Sequence, residues 1–377
     1  MISPNGEHPQ SVPGSLVEVV FGPGNLARTG DIAKSHGATR VLLVTDPGIK
    51  EAGHVAAAVR TLYQAGFPVR VFDEVGENPT TVHVGNGVLA ARAFKPDLII
   101  GLGGGSAMDC AKGINFMFSN GGRMQDYWGT GKATRPMLPL IAIPTTAGTG
   151  SDAQSYALIT DPETHQKMAC GDPKALPRLA ILDPDLTATQ PPKVAAATGI
   201  DAVAHAVESA GSTKRNDTSR LLSLESWRLL ESSFERALRD PADGDARQRM
   251  LLGAHLAGAA IENSMLGAAH ALANPLTALC GVAHGVAVGL VLPHVIRFNS
   301  RNGATPYGDL VPDAEALAAR IGAMLAAGNL LKRLSEIGVP ESRLPELAKS
   351  AATQWTASFN PRKVGEEELL QIYRMAL

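Results

Sequence analysis

The first half of the chain alternates short apolar runs with longer segments whose apolar residues recur at helical spacing. Residues 40–45 (RVLLVT) contain an uninterrupted apolar run, which is typical of a parallel strand buried on both faces. Runs of this kind predict strands at residues 16–21, 40–45, 68–73, 98–102 and 138–143. Helical spacing predicts helices at residues 55–65, 80–94 and 107–118. This alternation predicts a doubly wound, Rossmann-like α/β domain built on a parallel sheet.

The second half of the chain has a different pattern. After about Leu182, alanine, leucine and charged residues recur at helical spacing, and no run predicts a strand. The change coincides with Asp183–Pro184 and then Pro191–Pro192, which interrupt both patterns. The sequence therefore predicts an α/β domain over residues 1–184 and an all-α domain over residues 185–377.

Composition narrows the class of protein. The chain has 377 residues, of which 45% are hydrophobic and 19% charged, as expected for a soluble protein with two sizeable cores. A net charge of −2 provides no electrostatic footprint for nucleic acid or an anionic membrane. The three cysteines are too few and too scattered for a disulfide framework, which favours a reducing cytoplasm. The N-terminus shows no secretory signal, so a cytoplasmic location is expected.

Four candidate metal ligands lie between Gly199 and Asn299. Asp201 and His205 are four residues apart in an alanine-rich segment, so a helix presents both side chains on one face. His270 and His284 follow in apolar segments, where a buried imidazole needs a partner. One carboxylate and three imidazoles suit a divalent metal with a position open for substrate. The alternative is that each histidine is simply hydrogen-bonded in the core, and spacing alone leaves both interpretations open.

Two stretches of small residues follow predicted strands. In residues 101–109 (GLGGGSAMD), glycines allow a ligand to approach the backbone, and the following helix start favours a phosphate or pyrophosphate. Residues 144–152 (PTTAGTGSD) would line the same crevice, because ligands gather at the carboxyl ends of parallel strands, or would form a polar turn. Asp46 follows the strand at 40–45, where an acidic residue either receives a ribose hydroxyl or caps the next helix.

Five segments of the chain together resemble the iron-containing (group III, metal-dependent) alcohol dehydrogenase family. They are GGGSAMDCAKG, PTTAGTGSD, GIDAVAHAVES, GAAHALANPL and HGVAVGLVLPHVIRFN, in the order and spacing of that family, and the resemblance extends from about Phe21 to Arg362. It implies a dinucleotide-binding domain at 1–184, a helical metal-binding catalytic domain at 185–377 and a deep cleft between them, in a dehydroquinate synthase-like architecture. It also implies NAD(P)-linked hydride transfer between nicotinamide and a small alcohol, with aldehyde or ketone reduction as the reverse.

The resemblance also implies site residues. It places the metal ligands at Asp201, His205, His270 and His284, with Fe²⁺ as the metal and Zn²⁺ as its usual substitute. It places cofactor contacts at ten positions: Asp46, Asn78, Gly104, Gly105, Ser106, Asp109, Thr145, Thr146, Lys167 and Leu186. A carboxylate at residue 46 accepts a hydrogen bond from a free ribose 2′-hydroxyl but repels a 2′-phosphate, so NAD is expected in preference to NADP.

Asn274 departs from the family pattern. Relatives usually carry a histidine at this position, which faces substrate and is assigned to the proton relay. Asn274 lies four residues after His270, so a helix presents both on one face and the asparagine should point toward the site. An asparagine hydrogen-bonds a substrate oxygen but has no titratable proton near neutral pH, so it cannot act as a general acid or base. The released proton is therefore expected to leave through water or the ribose hydroxyls.

Two other functions remain open from the sequence alone. One is a zinc-dependent polyol dehydrogenase or another dehydroquinate synthase-like metal enzyme, although the phosphate-binding lysines and histidine spacing of those enzymes are not evident. The other is a cofactor-binding protein that retains the fold but has impaired catalysis. Asn274 is the only feature of the sequence that suggests it. The expected partners are a small alcohol or aldehyde and a second copy of the chain, as a homodimer or larger homo-oligomer.

Overall fold

The computed structural model describes residues 9–164 and 166–377. The chain divides into two compact units, Met1–Thr189 and Gln190–Leu377. Residues 1–8 lie outside the described part, so the interpretation that the N-terminus lacks a secretory signal falls partly outside it. Across the described part, every helix is too short or too polar to cross a lipid bilayer. The assignment of cofactor binding to residues 1–184 and of metal binding to residues 185–377 stays a prediction.

Unit 1 alternates strands and helices. In chain order its elements are β1 (Gln10–Ser11), β2 (Glu18–Phe21), α1 (Thr29–Ser35), β3 (Val41–Val44), α2 (Pro47–Glu51), α3 (His54–Gln64), β4 (Val69–Phe72), α4 (Thr81–Phe94), β5 (Leu98–Gly103), α5 (Gly105–Asn120), β6 (Gly129–Thr130), β7 (Leu140–Pro144), β8 (Tyr156–Thr160), β9 (Lys167–Gly171) and β10 (Leu179–Leu182). Short 3-10 helices occupy Asn25–Arg28, Met124–Tyr127, Ser151–Ala153, Pro173–Ala175 and Pro184–Thr189.

Seven strands form one sheet in the order β1-β2-β10-β7-β5-β3-β4. In this order, each pair of neighbouring strands from β2 across to β4 is parallel. The edge strand β1 pairs antiparallel with β2. The chain runs from β3 outward to β4 and then returns to β5 on the other side of β3, so the sheet is doubly wound. The predicted fold class is therefore confirmed, and the five predicted strands appear as β2, β3, β4, β5 and β7.

A second sheet of three strands, in the order β6-β9-β8, has no counterpart among the predicted strands. β8 and β9 pair antiparallel, from Tyr156 opposite Gly171 to Thr160 opposite Lys167. Buried and half-buried residues alternate along β8, which is the period of a strand that is covered on one face. A strand covered on one face has no continuous apolar run, so the sequence pattern that indicates strands buried on both faces does not predict β8.

The large sheet separates two apolar layers. Leu42 and Val44 of β3 pack into one layer with Ile114 of α5, whereas Val41 and Leu43 pack into the other. Successive side chains leave a strand on opposite faces, and both faces are covered here, which explains the continuous apolar sequence. Burial of each such side chain stabilises the fold by roughly 1.5–3 kcal/mol.

Unit 2 consists of helices within the part of the chain that is described. They are α6 (Pro192–Gly211), α7 (Asp217–Arg239), α8 (Gly244–Asn263), α9 (Ala268–Cys280), α10 (His284–Asn299), α11 (Ala314–Ala327), α12 (Leu344–Ala352) and α13 (Glu366–Met375). Short 3-10 helices occupy Arg301–Gly303, Leu334–Ile337, Glu341–Arg343 and Trp355–Phe359. The prediction of a helical second half is confirmed.

Helix α6 lies in the interior of unit 2. Pro192 stands in its first turn, where the missing N–H of proline leaves no helical hydrogen bond unmade. Every residue from Gly199 to Gly211 is buried, and the helix packs against α7, α8 and α10. Asp201, His205 and Glu208 are therefore polar side chains inside an apolar bundle, where each needs a hydrogen bond, an ion pair or a metal.

Candidate metal centre and cofactor site

Three helices of unit 2 bring together the four residues predicted as metal ligands. Asp201 and His205 lie one turn apart on α6. His270 lies in the first turn of α9, and His284 is the first residue of α10. We refer to Asp201, His205, His270 and His284 as the Asp–His cluster. Packing of α6, α9 and α10 thus places one carboxylate beside three imidazoles that are distant in sequence.

The Asp201 carboxylate is the common neighbour of the three imidazoles. Its Oδ1 atom lies between 3.5 and 3.9 Å from Nε2 of each histidine. One ligand atom each of Asp201, His270 and His284 lie within 4.8 Å of one another, and the His205 ring stacks on His270 with centroids 4.9 Å apart. Asp201 Oδ1 and His270 Nε2 are buried and make no hydrogen bond within the described residues. A cation held by both would remove a penalty of about 1–3 kcal/mol for each such atom, so the cluster fits a divalent metal.

The charges in the cluster also favour a cation. Burial would raise the pKa of Asp201, but the histidines, His205 foremost, outweigh burial and hold that pKa well below its usual range. Burial would lower the pKa of His270, yet Glu208 and Asp201 together raise it to about 9. A raised pKa favours the protonated ring, which carries hydrogen on both nitrogens. A metal that binds Nε2 of His270 must displace the proton there, because only the neutral imidazole is a ligand.

Glu208 is a member of the site that the sequence interpretation missed. It follows His205 by three residues on α6 and is buried. Its Oε2 atom accepts a hydrogen bond of 2.5 Å from Nδ1 of His270, and its Oε1 atom accepts one of 2.7 Å from the backbone N–H of Ala269. The spacing of Asp201, His205 and Glu208 on one helical face was the signal available in the sequence.

Asn274 lies on α9, one turn after His270, and is half-buried. Its Nδ2 atom donates a hydrogen bond of 2.9 Å to Oε1 of Gln354. Gln354 precedes the 3-10 helix Trp355–Phe359 and was not among the predicted site residues. The role of Asn274 toward a substrate stays a prediction, and the amide pair shows how the side chain is oriented.

The predicted cofactor residues of unit 1 cluster where three adjacent strands end. Asp46 follows β3, Gly104 and Gly105 follow β5, and Thr145 and Thr146 lie at the end of β7. These strands are neighbours in the sheet, so the three connections leave the same edge, beside the point where the winding reverses between β3 and β5. We call these five residues the carboxyl edge.

The two loops of small residues contact each other at the carboxyl edge. A Cβ atom at Gly105 would lie only 2.8 Å from Cγ2 of Thr149, so this close approach requires glycine. Gly105 also begins the 16-residue helix α5, whose first N–H groups suit an anionic ligand. Thr146 Oγ1 is buried and makes no hydrogen bond among residues 9–164 and 166–377. The edge therefore fits the phosphate groups of a dinucleotide.

Three other predicted cofactor residues meet beside this loop. The backbone N–H of Asn78 donates to Oγ of Ser106 at 3.3 Å, and Lys167 Nζ donates to Oδ1 of Asn78 at 3.3 Å. Asn78 has a positive φ of 50°, which asparagine tolerates better than most residues. Asp46 caps α2 by accepting a hydrogen bond of 3.0 Å from the N–H of Ile49. The helix-cap interpretation of Asp46 is thus correct, and it leaves the expected ribose contact as a prediction.

Asp109 and Lys112 connect α5 to the second loop. Oδ1 of Asp109 accepts a hydrogen bond of 2.6 Å from Ser151 Oγ, and Lys112 Nζ donates to Ser151 O at 2.6 Å and to Tyr156 O at 2.9 Å. Burial raises the pKa of Asp109, against the opposing effects of Lys112 and Ser151. Leu186 lies apart from these residues, buried in an apolar layer of unit 1. Cofactor contacts by Asp109 and Leu186 stay predictions.

Comparison with protein families matches both units. Residues 17–184 match the model described as "Iron-containing alcohol dehydrogenase". Residues 195–377 match the model described as "Fe-containing alcohol dehydrogenase family, C-terminal". The two matches together cover nearly all of the chain, in the order of the two units.

Individual relatives agree with the family models. The chain is 35% identical to alcohol dehydrogenase 4 of Schizosaccharomyces pombe, over 95% of this chain and 87% of that protein. It superimposes on a crystal structure of 1,3-propanediol oxidoreductase with a TM-score of 0.90 and 32% identity, covering 95% of this chain and 97% of that one. Sulfoacetaldehyde reductase from Bifidobacterium kashiwanohense, solved in complex with NAD⁺, gives a TM-score of 0.87 and 26% identity, with 98% and 99% coverage.

Proposed function

Because this chain belongs to the iron-containing alcohol dehydrogenase family, we propose that its Asp–His cluster holds the divalent metal of the reaction. The chain is an oxidoreductase that acts on CH–OH groups and interconverts small alcohols with aldehydes or ketones. The observation that carries the proposal is the pair of buried atoms, Asp201 Oδ1 and His270 Nε2, which make no hydrogen bond within the described residues.

The donor set supports Fe²⁺ as the metal, with Zn²⁺ as a substitute. One carboxylate and three imidazoles form a mixed oxygen and nitrogen site of intermediate softness, which both ions accept. The nearest alternative, a thiolate-rich zinc site, has no support among the described residues, because no cysteine belongs to the group of candidate ligands.

NAD is the proposed cofactor, and the carboxyl edge is its proposed site. The start of α5 and the buried Thr146 hydroxyl suit pyrophosphate oxygens. Asp46 follows β3, the position from which a carboxylate accepts a hydrogen bond from a ribose 2′-hydroxyl and repels a 2′-phosphate. The similarity to a reductase whose crystal structure contains NAD⁺ supports the same choice.

Glu208, Asp201 and Asn274 have different roles in the proposed reaction. When bound, a divalent metal supplies Lewis-acid catalysis that lowers the pKa of an alcohol, and nicotinamide supplies the hydride acceptor. Glu208 holds the His270 ring, and the Asp201 carboxylate balances positive charge in the buried cluster. Asn274 offers a hydrogen bond to a substrate oxygen but has no group that titrates near neutral pH. The proton released on alcohol oxidation therefore passes to water or to the ribose hydroxyls.

A direct test combines metal analysis with activity. The chain is purified without added metal, its metal content is measured, and NADH and NADPH oxidation are followed across a panel of aldehydes with added Fe²⁺ or Zn²⁺. We expect one metal per chain, turnover that a chelator abolishes and Fe²⁺ restores, and higher kcat/KM with NADH. Protein that binds no metal and shows no turnover with any aldehyde would contradict the proposal, and a preference for NADPH would contradict the role of Asp46.

Replacing Asn274 by histidine tests the proton path. The imidazole can still donate to Oε1 of Gln354, which Asn274 Nδ2 contacts at 2.9 Å, and it adds a group that titrates near pH ~6.5. We expect the kcat profile of Asn274→His to gain an ionisation near that pH. The control is Asn274→Ala, which removes the amide without adding a titratable group and should show no such ionisation. Identical profiles for Asn274→His and the unsubstituted enzyme would remove this position from proton transfer.

An assembly and a location are also proposed for the protein. We propose association into a homodimer or larger homo-oligomer, for which exposed apolar side chains such as Leu16 and Leu221 are candidate interface residues. The mass of the protein in solution, measured by light scattering, checks this directly, and a monomer would refute it. Three free cysteines, two of them buried, agree with a reducing cytoplasm.

A further inference from the structure

Three buried polar residues surround the first turn of α9, which contains His270. They come from three parts of unit 2 that are distant in sequence: Glu208 on α6, Asn299 at the end of α10, and Asn360 after the last 3-10 helix. All three side chains are at most 4% exposed. None of them was predicted as a site residue, and none is among the candidate metal ligands of the described chain.

Glu208 holds this turn at two points. Its two carboxylate oxygens accept from adjacent donors, the backbone N–H of Ala269 at 2.7 Å and Nδ1 of His270 at 2.5 Å. The N–H groups of a helix's first turn have no partner within the helix, so a buried helix start requires an acceptor from elsewhere. Here the carboxylate that satisfies the helix start also orients the imidazole.

Asn360 completes the same cap. Its Oδ1 atom accepts a hydrogen bond of 3.2 Å from the N–H of Ala268 and one of 2.9 Å from Nδ2 of Asn299. Its Nδ2 atom donates to Oδ1 of Asn299 at 2.7 Å, and Asn299 Nδ2 also donates to the Tyr307 hydroxyl at 2.7 Å. Asn360 Nδ2 also donates to the carbonyl of Arg362 at 2.6 Å, and because a carbonyl only accepts, this contact fixes the amide so that Oδ1 of Asn360 points at the helix start.

The contact with Glu208 decides which nitrogen of His270 carries hydrogen. A carboxylate only accepts hydrogen bonds, so the hydrogen of a neutral His270 ring lies on Nδ1, toward Glu208. The lone pair of Nε2 then faces Asp201 Oδ1, which lies 3.5 Å away. The ring is therefore held in the one neutral form that can bind a metal on the side of the cluster.

We propose that Glu208, supported by Asn360 and Asn299, is a positioning residue that sets the metal affinity of the Asp–His cluster. This inference rests on the proposed function, because it takes the cluster to be a metal site. Loss of the carboxylate at residue 208 leaves all four ligands in place but removes the constraint on the His270 ring. Changes to such supporting residues weaken metal binding by roughly 10–100-fold.

The test measures Co²⁺ binding to the full-length protein after metal removal, using the visible absorption band of the bound ion and a competing chelator. In Glu208→Gln, the amide keeps the shape but has one acceptor for two donors, so its NH₂ group faces either Ala269 N–H or His270 Nδ1. If it faces the ring, Nδ1 must accept, and the hydrogen moves to Nε2, toward Asp201. We expect the Kd for Co²⁺ to rise by roughly 10–100-fold and the absorption band to shift.

The matched control is Ser226→Ala, which removes another buried hydrogen bond of unit 2, from Ser226 Oγ to the Gly253 carbonyl at 2.8 Å, between α7 and α8. Its Kd for Co²⁺ should stay within about twofold of the original even if its melting temperature falls. Wild-type affinity in Glu208→Gln, or equal weakening in Ser226→Ala, would overturn the inference while the metal site stands. Failure of the unsubstituted protein to bind Co²⁺ would overturn the metal site and the inference together.

A second variant covers the case in which Glu208→Gln does not fold. Asn360→Ala removes the acceptor for the Ala268 N–H but leaves Glu208 and its bond to His270 intact. We expect a severalfold rise in the Kd for Co²⁺, smaller than that of Glu208→Gln, because the support is loosened at one point only. Unchanged affinity and an unchanged absorption band in Asn360→Ala would refute the role of the cap.

Discussion

We expect Asp201→Asn to lose its metal and nearly all of its activity. Oδ1 of Asp201 lies 3.5–3.9 Å from Nε2 of all three histidines, so this oxygen is shared by the three imidazoles of the Asp–His cluster. An amide keeps the size of the side chain but removes the negative charge that balances a divalent cation. Metal affinity should fall by more than the roughly 100-fold seen for supporting residues. Lewis-acid catalysis contributes several kcal/mol, so turnover should fall by on the order of 10³-fold.

The measurements are metal content after dialysis and the steady-state rate with saturating metal. Asp309→Asn is a suitable control because it removes a carboxylate of the same unit, paired with Arg220 at 2.8 Å and Arg215 at 3.4 Å at the surface. That substitution should change the free energy of unfolding by no more than about 1 kcal/mol and leave metal content unchanged. Full metal occupancy together with normal turnover in Asp201→Asn would show that Asp201 is not an essential ligand and would contradict its assignment to the metal site.

Gly285→Ala should destabilise unit 2 and weaken metal binding at the same time. A Cβ atom at Gly285 would lie 1.9 Å from the backbone oxygen of Ala197, so α10 approaches the backbone of α6 too closely for any side chain. The carbonyl cannot rotate away as a side chain would, so the two helices must separate. Overpacking of this kind costs about 1–3 kcal/mol, and more where backbone is involved. Because His284 is the preceding residue, separation also withdraws one imidazole from Asp201.

The two effects are measured by thermal unfolding of the metal-free protein and by Co²⁺ titration. Gly322→Ala provides the matched control, since Gly322 lies inside α11 and a Cβ atom there would meet nothing within 4 Å. Alanine at that position should raise the free energy of unfolding by up to about 1 kcal/mol and leave Co²⁺ binding unaltered. A Gly285→Ala protein as stable as the original would contradict the close helix approach.

A local sequence pattern predicts a strand only where the strand's own residues carry the signal. The strands β3, β5 and β7 were predictable because burial on both faces leaves a continuous apolar run. The small sheet of β6, β8 and β9 was not, because β8 is half covered and β6 has only two residues, so both depend on distant partners. Edge strand β1 was missed for the same reason, since two residues carry no period.

The site shows a similar division. All four residues of the Asp–His cluster were candidates from their spacing and apolar surroundings, and the order of five motifs favoured the metal-ligand interpretation over that of hydrogen-bonded core residues. Glu208 and Asn360 were not found, because their function depends on the donors at the start of α9, which no pattern around residue 208 or 360 reveals. Asp46 was found from the sequence, but its role was not decided. A carboxylate at the end of β3 can cap the next helix or accept a hydrogen bond from a ribose, and the structure shows the cap.

The strand order of the large sheet has a consequence for how unit 1 is made. β2 and β10 pair in parallel, with Glu18 opposite Leu179 and Phe21 opposite Leu182, so the first long strand has its central neighbour at the far end of the unit. A nascent chain that stops short of Leu179 leaves β2 without that neighbour and the outer edge of β7 uncovered. Contacts this distant in sequence slow folding, and open strand edges invite aggregation. Nearly the whole of unit 1 must therefore leave the ribosome before β10 can pair with β2 and β7 and complete the sheet.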